Sequence, residues 1–376
     1  MEQKIISAEN NYRELDNWFL NHGLEKVLLV CGKSIARQSI NEYFETVQNR
    51  LGVKVFRFMD FAPNPLYESV VNGVEVFRQE GCRGIIAVGG GSAMDVAKCI
   101  KLYSNMQGNS AEGDFLRQKI VPNDVPFLAM PTTAGTGSEA TRFAVIYYDG
   151  AKQSVADPSC IPGTVLMDSS VLKTLPEYQK KSTMMDALCH GIESFWSVNS
   201  TEESREFSRE AIEMIIANKD AYLLNMDEGN AAMLRAANLA GKAINITQTT
   251  AGHAMCYKIT SLFGCAHGHA AALCDRILLQ WMIENTEKCI DSRGREYLDM
   301  TLNEIGLALG CKDAASGAEK FLELFYDLGL EVPAASEEQF RTLKTSVNSV
   351  RLKNHPIALD EETIDTLYRK ILRTEA

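Results

Sequence analysis

Short apolar runs alternate with amphipathic stretches along the first half of the chain. Four of these runs predict buried strands, at residues 26–31 (KVLLVC), 53–58 (VKVFRF), 84–88 (GIIAV) and 126–130. Apolar residues spaced for one helix face predict helices at 34–50, at 67–80 and in the stretch that follows residue 89. This alternation predicts an α/β domain built on a parallel sheet with helices on both faces.

The second half of the chain has a different pattern. Strand signals stop near Pro176, and from about Tyr178 onward apolar residues recur at helical spacing. Helices are predicted at 180–196, 204–217, 231–243, 253–262 and 314–328. We therefore predict an α/β dinucleotide-binding domain at residues 1–177 and an all-α catalytic domain at residues 178–376.

Composition narrows the class of protein. The 376 residues carry a formal net charge of −11, which argues against a nucleic-acid or acidic-membrane surface. The 10 cysteines are scattered without a CxxC pair, which favours buried free thiols and a reducing compartment. The first residues lack the apolar segment of a signal peptide, and no run of about 18 apolar residues is present. These features predict a cytoplasmic protein.

A glycine-rich turn follows the predicted strand at 84–88. Gly89, Gly90, Gly91 and Ser92 open a helix, and glycines let the backbone approach a phosphate near free helix N–H groups. The spacing departs from GxGxxG, because Ala93 follows Ser92 and the helix continues. A tight structural turn is the alternative interpretation.

A second loop, PTTAGTGSE at 131–139, also follows a predicted strand. Its hydroxyls and glycines suit phosphate or ribose oxygens, although a helix start capped by Ser138 or Thr136 would use the same residues. Both loops fall at the carboxyl ends of predicted parallel strands, where open α/β sheets bind nucleotides. Together they indicate a nucleotide site more strongly than either does alone.

Histidines concentrate in two short stretches of the second half. Of the 6 histidines, His190 lies in MMDALCHGIES, and His253, His267 and His269 lie in AGHAMCYKITSLFGCAHGH. Asp186 precedes His190 by four residues and shares its helix face. One carboxylate with three imidazoles suits Zn²⁺ or Fe²⁺ better than Mg²⁺ or Ca²⁺. The alternative is a set of structural histidines.

These motifs, in this order, resemble the iron-containing (group III) alcohol dehydrogenases, which have the dehydroquinate synthase-like fold. The resemblance spans the chain and rests on NPLYESVVNGVEVFRQEGCRGIIAVGGGSAMDVAK, PTTAGTGSEAT, DALCHGIES, and GHAM followed by HG. It implies hydride transfer between a nicotinamide and a small primary alcohol or aldehyde, an active site between two domains, and a homodimer or larger assembly.

The resemblance also implies roles for individual residues. The metal, Fe²⁺ with Zn²⁺ or Ni²⁺ able to replace it, would be held by Asp186, His190, His253 and His267. The pyrophosphate would be held by Gly89, Gly90 and Ser92, with Asp95 near the cofactor. The adenine and ribose side would be lined by Thr132 and Thr133, and the nicotinamide half by Ser138, Thr141 and Lys152.

Two positions depart from the family pattern. Many members have a histidine, credited with proton relay, four residues after the first histidine of GHAM, and this chain has Tyr257 there. Tyr257 or His269 would then be the catalytic proton relay, with a second-shell or surface position as the alternative for His269. After the first predicted strand, NAD-preferring members often carry an aspartate, whereas this chain has Gly32, Lys33 and Ser34. We therefore expect NADP(H) to be preferred over NAD(H).

The substrate is predicted less narrowly. Arg142, Lys258 and Arg276 lie near predicted site segments and are candidates to neutralise an anion, with solvated or salt-bridged charge as the alternative. The GHAMCYKITSLFGCAHGHA stretch resembles the branch that reduces phosphonoacetaldehyde to 2-hydroxyethylphosphonate, against a generic short-chain alcohol or aldehyde. Two other functions stay open: a metal- and NAD-dependent lyase of the dehydroquinate synthase type, and a non-catalytic nucleotide-binding protein.

Overall fold

The computed structural model describes residues 3–107, 111–347 and 349–375. The chain divides into two compact units. The first comprises Met1–Thr133 and Gly137–Leu175, and the second comprises Ala134–Thr136 and Pro176–Ala376.

Among its described residues, the first unit has eight strands: β1 (Lys4–Ser7), β2 (Lys26–Cys31), β3 (Lys54–Phe58), β4 (Gly84–Gly89), β5 (Phe127–Pro131), β6 (Phe143–Tyr148), β7 (Ala151–Ala156) and β8 (Thr164–Met167). Six of them form one parallel sheet in the order β1-β8-β5-β4-β2-β3. The other two, β6 and β7, form a separate antiparallel hairpin. Strands β4 and β5 are buried along their whole length, as expected where both faces of a parallel sheet are covered.

Helices connect these strands: α1 (Glu9–Asn21), α2 (Ile40–Leu51), α3 (Tyr67–Gln79), α4 (Gly91–Tyr103) and the short α5 (Asp114–Arg117). Their apolar faces and one side of the sheet form a core that includes Val30, Val74 and Ile100. The four predicted strands are present, and the predicted α/β class of this unit is confirmed. Strands β1, β6, β7 and β8 were missed, because most are short or carry exposed polar residues.

The second unit is helical: α6 (Glu177–Trp196), α7 (Glu202–Leu223), α8 (Asp227–Thr247), α9 (Ala251–Phe263), α10 (His267–Glu284), α11 (Arg295–Ala308), α12 (Ala314–Asp327), α13 (Glu337–Thr345), α14 (Ser349–Leu352) and α15 (Glu361–Ile371). The described residues add to the predicted all-α pattern a two-stranded parallel ladder of β9 (Ala334–Ala335) and β10 (Arg373–Thr374) and an isolated antiparallel bridge between Cys289 and Ile357. No described helix is long and apolar enough to cross a membrane. All ten cysteines are free thiols.

Candidate functional site

One face of helix α6 carries Asp186, His190 and Glu193. Spacings of four and seven residues place these side chains on the same side of an α-helix. All three residues are at most 5% exposed, although two are carboxylates. Buried charges need partners, so this face must be satisfied by groups from other helices or by a bound cation.

A glycine brings the start of α10 against this face. A Cβ on Gly268 would lie 2.1 Å from the Ser182 carbonyl oxygen and 2.6 Å from Asp186 Cβ. Only a residue without a side chain fits there, and the close approach places His267 beside Asp186. Gly268 serves this packing inside a helix that begins at His267.

A second glycine brings the start of α9 into the same region. A Cβ on Gly252 would lie 1.9 Å from Asp275 Oδ1 and 2.7 Å from Glu193 Oε1. Gly252 therefore makes room for two buried carboxyl groups directly behind His253. Burial and the nearby charge of Glu193 raise the pKa of Asp275 well above its ordinary value.

Three predicted ligands converge. Asp186, His253 and His267 each offer one ligand atom within 4.8 Å of the others. His253 Nε2 lies 3.4 Å and His267 Nε2 lies 3.9 Å from Asp186 Oδ1. The side chain of His267 is 37% exposed, whereas those of the other two are at most 3% exposed. The cluster is therefore buried on the α6 side and accessible at His267.

The fourth predicted ligand, His190, lies beside this group. Its ring is nearly parallel to that of His253, with centroids 4.4 Å apart and an interplanar angle of 18°. Burial lowers the pKa of His190 to about 4, which keeps the imidazole neutral, as metal ligation requires. Its participation in metal binding stays a prediction.

Glu193 is a functional residue that the sequence reasoning missed. Its carboxylate accepts hydrogen bonds from the Thr250 N–H and hydroxyl, both at 2.6 Å, and from the His253 N–H at 3.0 Å. It also accepts from His253 Nδ1. Burial opposes ionisation of Glu193, but His253 and Thr250 outweigh it and lower the pKa. Because Nδ1 donates to Glu193, Nε2 is the ring nitrogen of His253 that is left to bind a cation, and it faces Asp186.

The donor set fits a divalent cation. Asp186 Oδ1, His190 Nδ1 and His253 Nε2 are buried, and none has a hydrogen-bond partner among the described residues. Buried polar atoms without partners are rare, and Asp186 Oδ1 and His253 Nε2, which lie 3.4 Å apart, point to a ligand that both atoms would bind. Imidazole nitrogens with one carboxylate suit Fe²⁺, Zn²⁺ or Ni²⁺.

His269 does not join this cluster. Its Nε2 hydrogen-bonds to the Glu331 carbonyl at 2.9 Å, and its Nδ1 to the Tyr178 hydroxyl at 3.0 Å. A carbonyl only accepts, so Nε2 carries the proton and Nδ1 accepts from Tyr178. Both nitrogens of this buried ring are engaged by groups outside the ligand cluster, and His269 thereby links α6, α10 and the segment after α12. These contacts suit the alternative of a supporting position, and a proton-relay role for His269 stays a prediction.

Tyr257 lies against His267, one of the predicted metal ligands. Its ring is nearly parallel to that of His267, with centroids 5.5 Å apart and an interplanar angle of 19°. Burial raises the pKa of the Tyr257 hydroxyl, so the phenol stays protonated at neutral pH. Of the two residues predicted to relay a proton, Tyr257 is the one in contact with the cluster.

In the first unit, the two predicted cofactor loops meet. Gly89 pairs with Pro131 at the carboxyl ends of adjacent strands, and Thr132 N–H donates to the Gly89 carbonyl at 3.0 Å. A Cβ on Gly90 would lie 3.2 Å from Thr133 Oγ1. Ser92 follows in the first turn of α4, as expected for a phosphate site at a helix N-terminus.

A buried lysine organises the second loop. Lys98 Nζ donates to Ser138 Oγ at 3.1 Å, Thr141 Oγ1 at 3.0 Å and the Phe143 carbonyl at 2.7 Å. Ser138 Oγ also donates to Asp95 Oδ1 at 3.2 Å. Burial raises the pKa of Asp95 to about 6, while Lys98 opposes that rise. The sequence prediction named Ser138, Thr141 and Asp95 but missed Lys98, which joins them.

The remaining predicted cofactor residues lie at other positions in the same unit. Gly32 follows β2, and Lys33 and Ser34 are exposed in the short 3₁₀ segment that comes next. A Cβ on Gly32 would lie 3.8 Å from Ser34 Oγ, an ordinary contact. Lys152 lies on β7, paired with Tyr147 of β6.

The three predicted anion-neutralising residues have different surroundings. Arg276 Nη2 donates to the Ile371 carbonyl at 2.6 Å, and its guanidinium lies over the Phe325 ring, so it is committed to packing. Arg142, in the first unit, lies over the Phe143 ring. Lys258 is half-buried on α9.

Comparisons with known proteins agree with the fold and with the candidate metal site described above. The family profile described as "Iron-containing alcohol dehydrogenase" matches residues 2–169, and "Fe-containing alcohol dehydrogenase family, C-terminal" matches residues 180–372. Phosphonoacetaldehyde reductase of Streptomyces viridochromogenes is 30% identical over 75% of this chain and 74% of its own. Choline dehydrogenase of Bacillus subtilis is 27% identical over 93% of this chain and 88% of its own.

A solved structure extends the similarity over nearly the whole chain. Sulfoacetaldehyde reductase of Bifidobacterium kashiwanohense, in complex with NAD⁺, superposes with a TM-score of 0.87 at 25% identity. The match covers 99% of this chain and 98% of that one. With two profiles that cover both units, this protein belongs to the iron-containing alcohol dehydrogenase family.

Proposed function

We propose that the protein reduces a small aldehyde to a primary alcohol with NADPH, at a site that holds Fe²⁺ or, on the same ligands, Zn²⁺ or Ni²⁺. The observation that carries this proposal is the pair of buried, unpartnered atoms Asp186 Oδ1 and His253 Nε2, which lie 3.4 Å apart next to His267. A non-catalytic nucleotide-binding protein would have no use for them.

In the proposed reaction the cofactor and the cation supply the chemistry, and side chains of the protein position them and donate the proton. When bound, the nicotinamide supplies a hydride to the carbonyl carbon, and the divalent cation polarises the carbonyl oxygen. Glu193 fixes the tautomer and ring direction of His253, and Asp186 contributes the negative charge of the site. Tyr257, protonated at neutral pH and stacked on His267, is the proposed proton donor.

The cofactor is proposed to bind in the first unit. Gly89, Gly90 and Ser92 hold the pyrophosphate near the N-terminus of α4. Thr132 and Thr133 line the adenine and ribose side. The nicotinamide half is set by Ser138, Thr141 and Lys152. Asp95 lies near the cofactor, bonded to Ser138, which Lys98 joins to Thr141.

NADPH is proposed over NADH because of the segment after β2. Gly32 places no carboxylate where a 2′-phosphate would be repelled, and Lys33 and Ser34 are exposed there. A lysine and a hydroxyl can both donate to a phosphate.

The proposed substrate is phosphonoacetaldehyde, reduced to 2-hydroxyethylphosphonate. Two relatives are named for short aldehydes with an anionic tail, phosphonoacetaldehyde and sulfoacetaldehyde. Because another relative is a choline dehydrogenase, the family alone does not decide the substrate. Competing turnover of phosphonoacetaldehyde and propanal tests the choice, and we expect a strong preference for phosphonoacetaldehyde. Equal rates for the two aldehydes would refute phosphonoacetaldehyde as the preferred substrate and support only a general aldehyde reductase.

The same assay separates the reductase from a lyase of the dehydroquinate synthase type. A reductase consumes one reduced nicotinamide for each alcohol formed, whereas in the lyase the cofactor is regenerated within one turnover. Loss of nicotinamide absorbance in proportion to alcohol supports the reductase. A cytoplasmic homodimer is proposed as the working form, and light scattering of the purified protein tests the assembly.

A further inference from the structure

Arg351, an arginine that belongs to none of the sequence motifs, lies near the ligand cluster and contacts Tyr257. Arg351, on the short helix α14, has its guanidinium carbon 5.6 Å from the centroid of the Tyr257 ring. That ring in turn stacks on the ligand His267. The guanidinium, the phenol ring and the imidazole ring therefore form a continuous series of contacts that ends at the metal site.

The position of Arg351 is fixed by neighbouring contacts. Its Nη1 donates to Thr249 Oγ1 at 2.5 Å. Three residues later, Asn354 Nδ2 donates to the Thr249 carbonyl at 3.1 Å, and the Asn354 carbonyl accepts from the Val198 N–H at 3.0 Å. The segment that carries Arg351 is thus tied to the residues just before α9 and just after α6, two helices that supply ligands.

The charge of Arg351 is not neutralised locally. Within the described part of the chain, its guanidinium forms no ion pair with a carboxylate, and its one hydrogen bond goes to a neutral hydroxyl. The side chain is half-buried, so it is only partly solvated. A fixed guanidinium with free donors matches the oxygens of a phosphonate or sulfonate, to which arginine can bind in a bidentate way.

We propose that Arg351 is the specificity residue that binds the anionic tail of the substrate. This inference rests on the proposed function and deepens it, because it assigns recognition of the tail to a residue outside the ligand set. In phosphonoacetaldehyde the phosphorus is bonded to the carbon next to the carbonyl, so the anion and the reacting carbon must be bound close together. The guanidinium of Arg351 contacts the Tyr257 ring, and the Tyr257 ring stacks on His267 of the ligand cluster.

Steady-state kinetics of the metal-loaded enzyme with two aldehydes test the proposal. Arg351→Met should lower kcat/KM for phosphonoacetaldehyde by about 100-fold, mainly through KM, and change kcat/KM for propanal by less than about threefold. Arg351→Lys should lower kcat/KM for phosphonoacetaldehyde by about tenfold, because lysine keeps the charge but not the planar guanidinium. Lys258→Met, which removes a half-buried cation of α9, is the matched control and should leave the preference unchanged.

Two outcomes would overturn the inference. An equal loss on both aldehydes would make Arg351 a structural residue, and loss of the preference in Lys258→Met alone would assign the anion to Lys258. If the wild-type enzyme reduces neither aldehyde, the proposed function fails, and calorimetric titration with 2-hydroxyethylphosphonate decides Arg351 separately. Binding that is lost in Arg351→Met but kept in Lys258→Met would still support an anion site, whereas equal binding to all three proteins would refute it.

Discussion

Glu193 accepts hydrogen bonds from both the backbone N–H and the Nδ1 of His253. The two contacts hold the imidazole from one side, so its Nε2 faces Asp186 at 3.4 Å from Oδ1. A carboxylate behind a ligating histidine fixes the tautomer and raises the basicity of the ligand. Glu193 is therefore expected to support the proposed metal site, although it is not one of the proposed ligands.

Replacing this carboxylate should weaken the metal site. Glu193→Gln keeps the size of the side chain but removes the charge that holds the proton on Nδ1 of His253. We expect metal affinity to fall by about 10- to 100-fold. Competition with a chelator of known affinity measures the loss.

Asp275 supplies the matched control for that experiment. It lies next to Glu193 against Gly252, and burial and the charge of Glu193 raise its pKa well above the ordinary value. Because this shift favours the neutral form, Asp275→Asn should change less charge than Glu193→Gln and alter metal affinity by less than about threefold. Equal losses in Glu193→Gln and Asp275→Asn would show that packing, not the Glu193 charge, supports the site.

Lys98 should control cofactor binding from within the core. Lys98→Met removes three hydrogen bonds that hold the segment from Ser138 to Phe143. We expect NADPH affinity to fall by about tenfold and the free energy of unfolding by about 1–3 kcal/mol. Fluorescence titration with NADPH measures the first, and urea unfolding the second.

A variant at Lys101 is the control that separates the loss of NADPH affinity from the loss of stability. It is also a buried lysine of α4, but it donates to the Asn123 carbonyl and side chain. Lys101→Met should lose stability and keep NADPH affinity. Similar cofactor losses in the two variants would mean that Lys98 acts only through overall stability.

The metal site was largely predictable from residue type and spacing, and its supporting groups were not. Asp186 and His190 at a spacing of four, with two further histidines, are unusual enough to be noticed. Glu193 has the right helical phase, but a helical glutamate is usually solvated, so its burial was not foreseen. Lys98 was missed for the same reason. The contact of Arg351 with Tyr257 depends on tertiary packing across many residues, which local patterns do not encode.

Cofactor preference should respond to one position after β2. Gly32→Asp introduces a carboxylate. A side chain fits at this position, because a Cβ on Gly32 would lie 3.8 Å from Ser34 Oγ. The ratio of kcat/KM for NADPH to that for NADH should fall by about 100-fold, because the carboxylate repels a 2′-phosphate and accepts from ribose hydroxyls. Lys33→Ala should weaken NADPH alone. An unchanged ratio in both variants would contradict the assignment.

His355 should make the protein sensitive to acid. It is fully buried, neither ring nitrogen has a hydrogen-bond partner among the described residues, and burial lowers its pKa to about 4. The unfolded chain, with a histidine pKa of about 6.5, binds a proton between roughly pH 6.5 and 4 that the folded chain does not. The free energy of unfolding therefore falls as the pH falls through this window, by at most roughly 3 kcal/mol from this group.

His355→Phe tests that contribution. Urea unfolding of both proteins at about pH 7.5, 6 and 5 gives the difference in stability, in which titration of the other histidines cancels. The difference should shift in favour of the variant as the pH falls. A difference that stays constant with pH would show that His355 does not titrate in this window.

The central claim is that Asp186, His190, His253 and His267 hold the cation on which aldehyde reduction depends. The most direct measurement is NADPH oxidation by the chelator-treated enzyme as Fe²⁺ is added back without oxygen, with phosphonoacetaldehyde present. We predict no activity in the stripped enzyme, full recovery at about one Fe²⁺ per chain, and no recovery in His267→Ala, which should still bind NADPH. Full activity of the stripped enzyme, or recovery in His267→Ala equal to that of the wild type, would contradict the account.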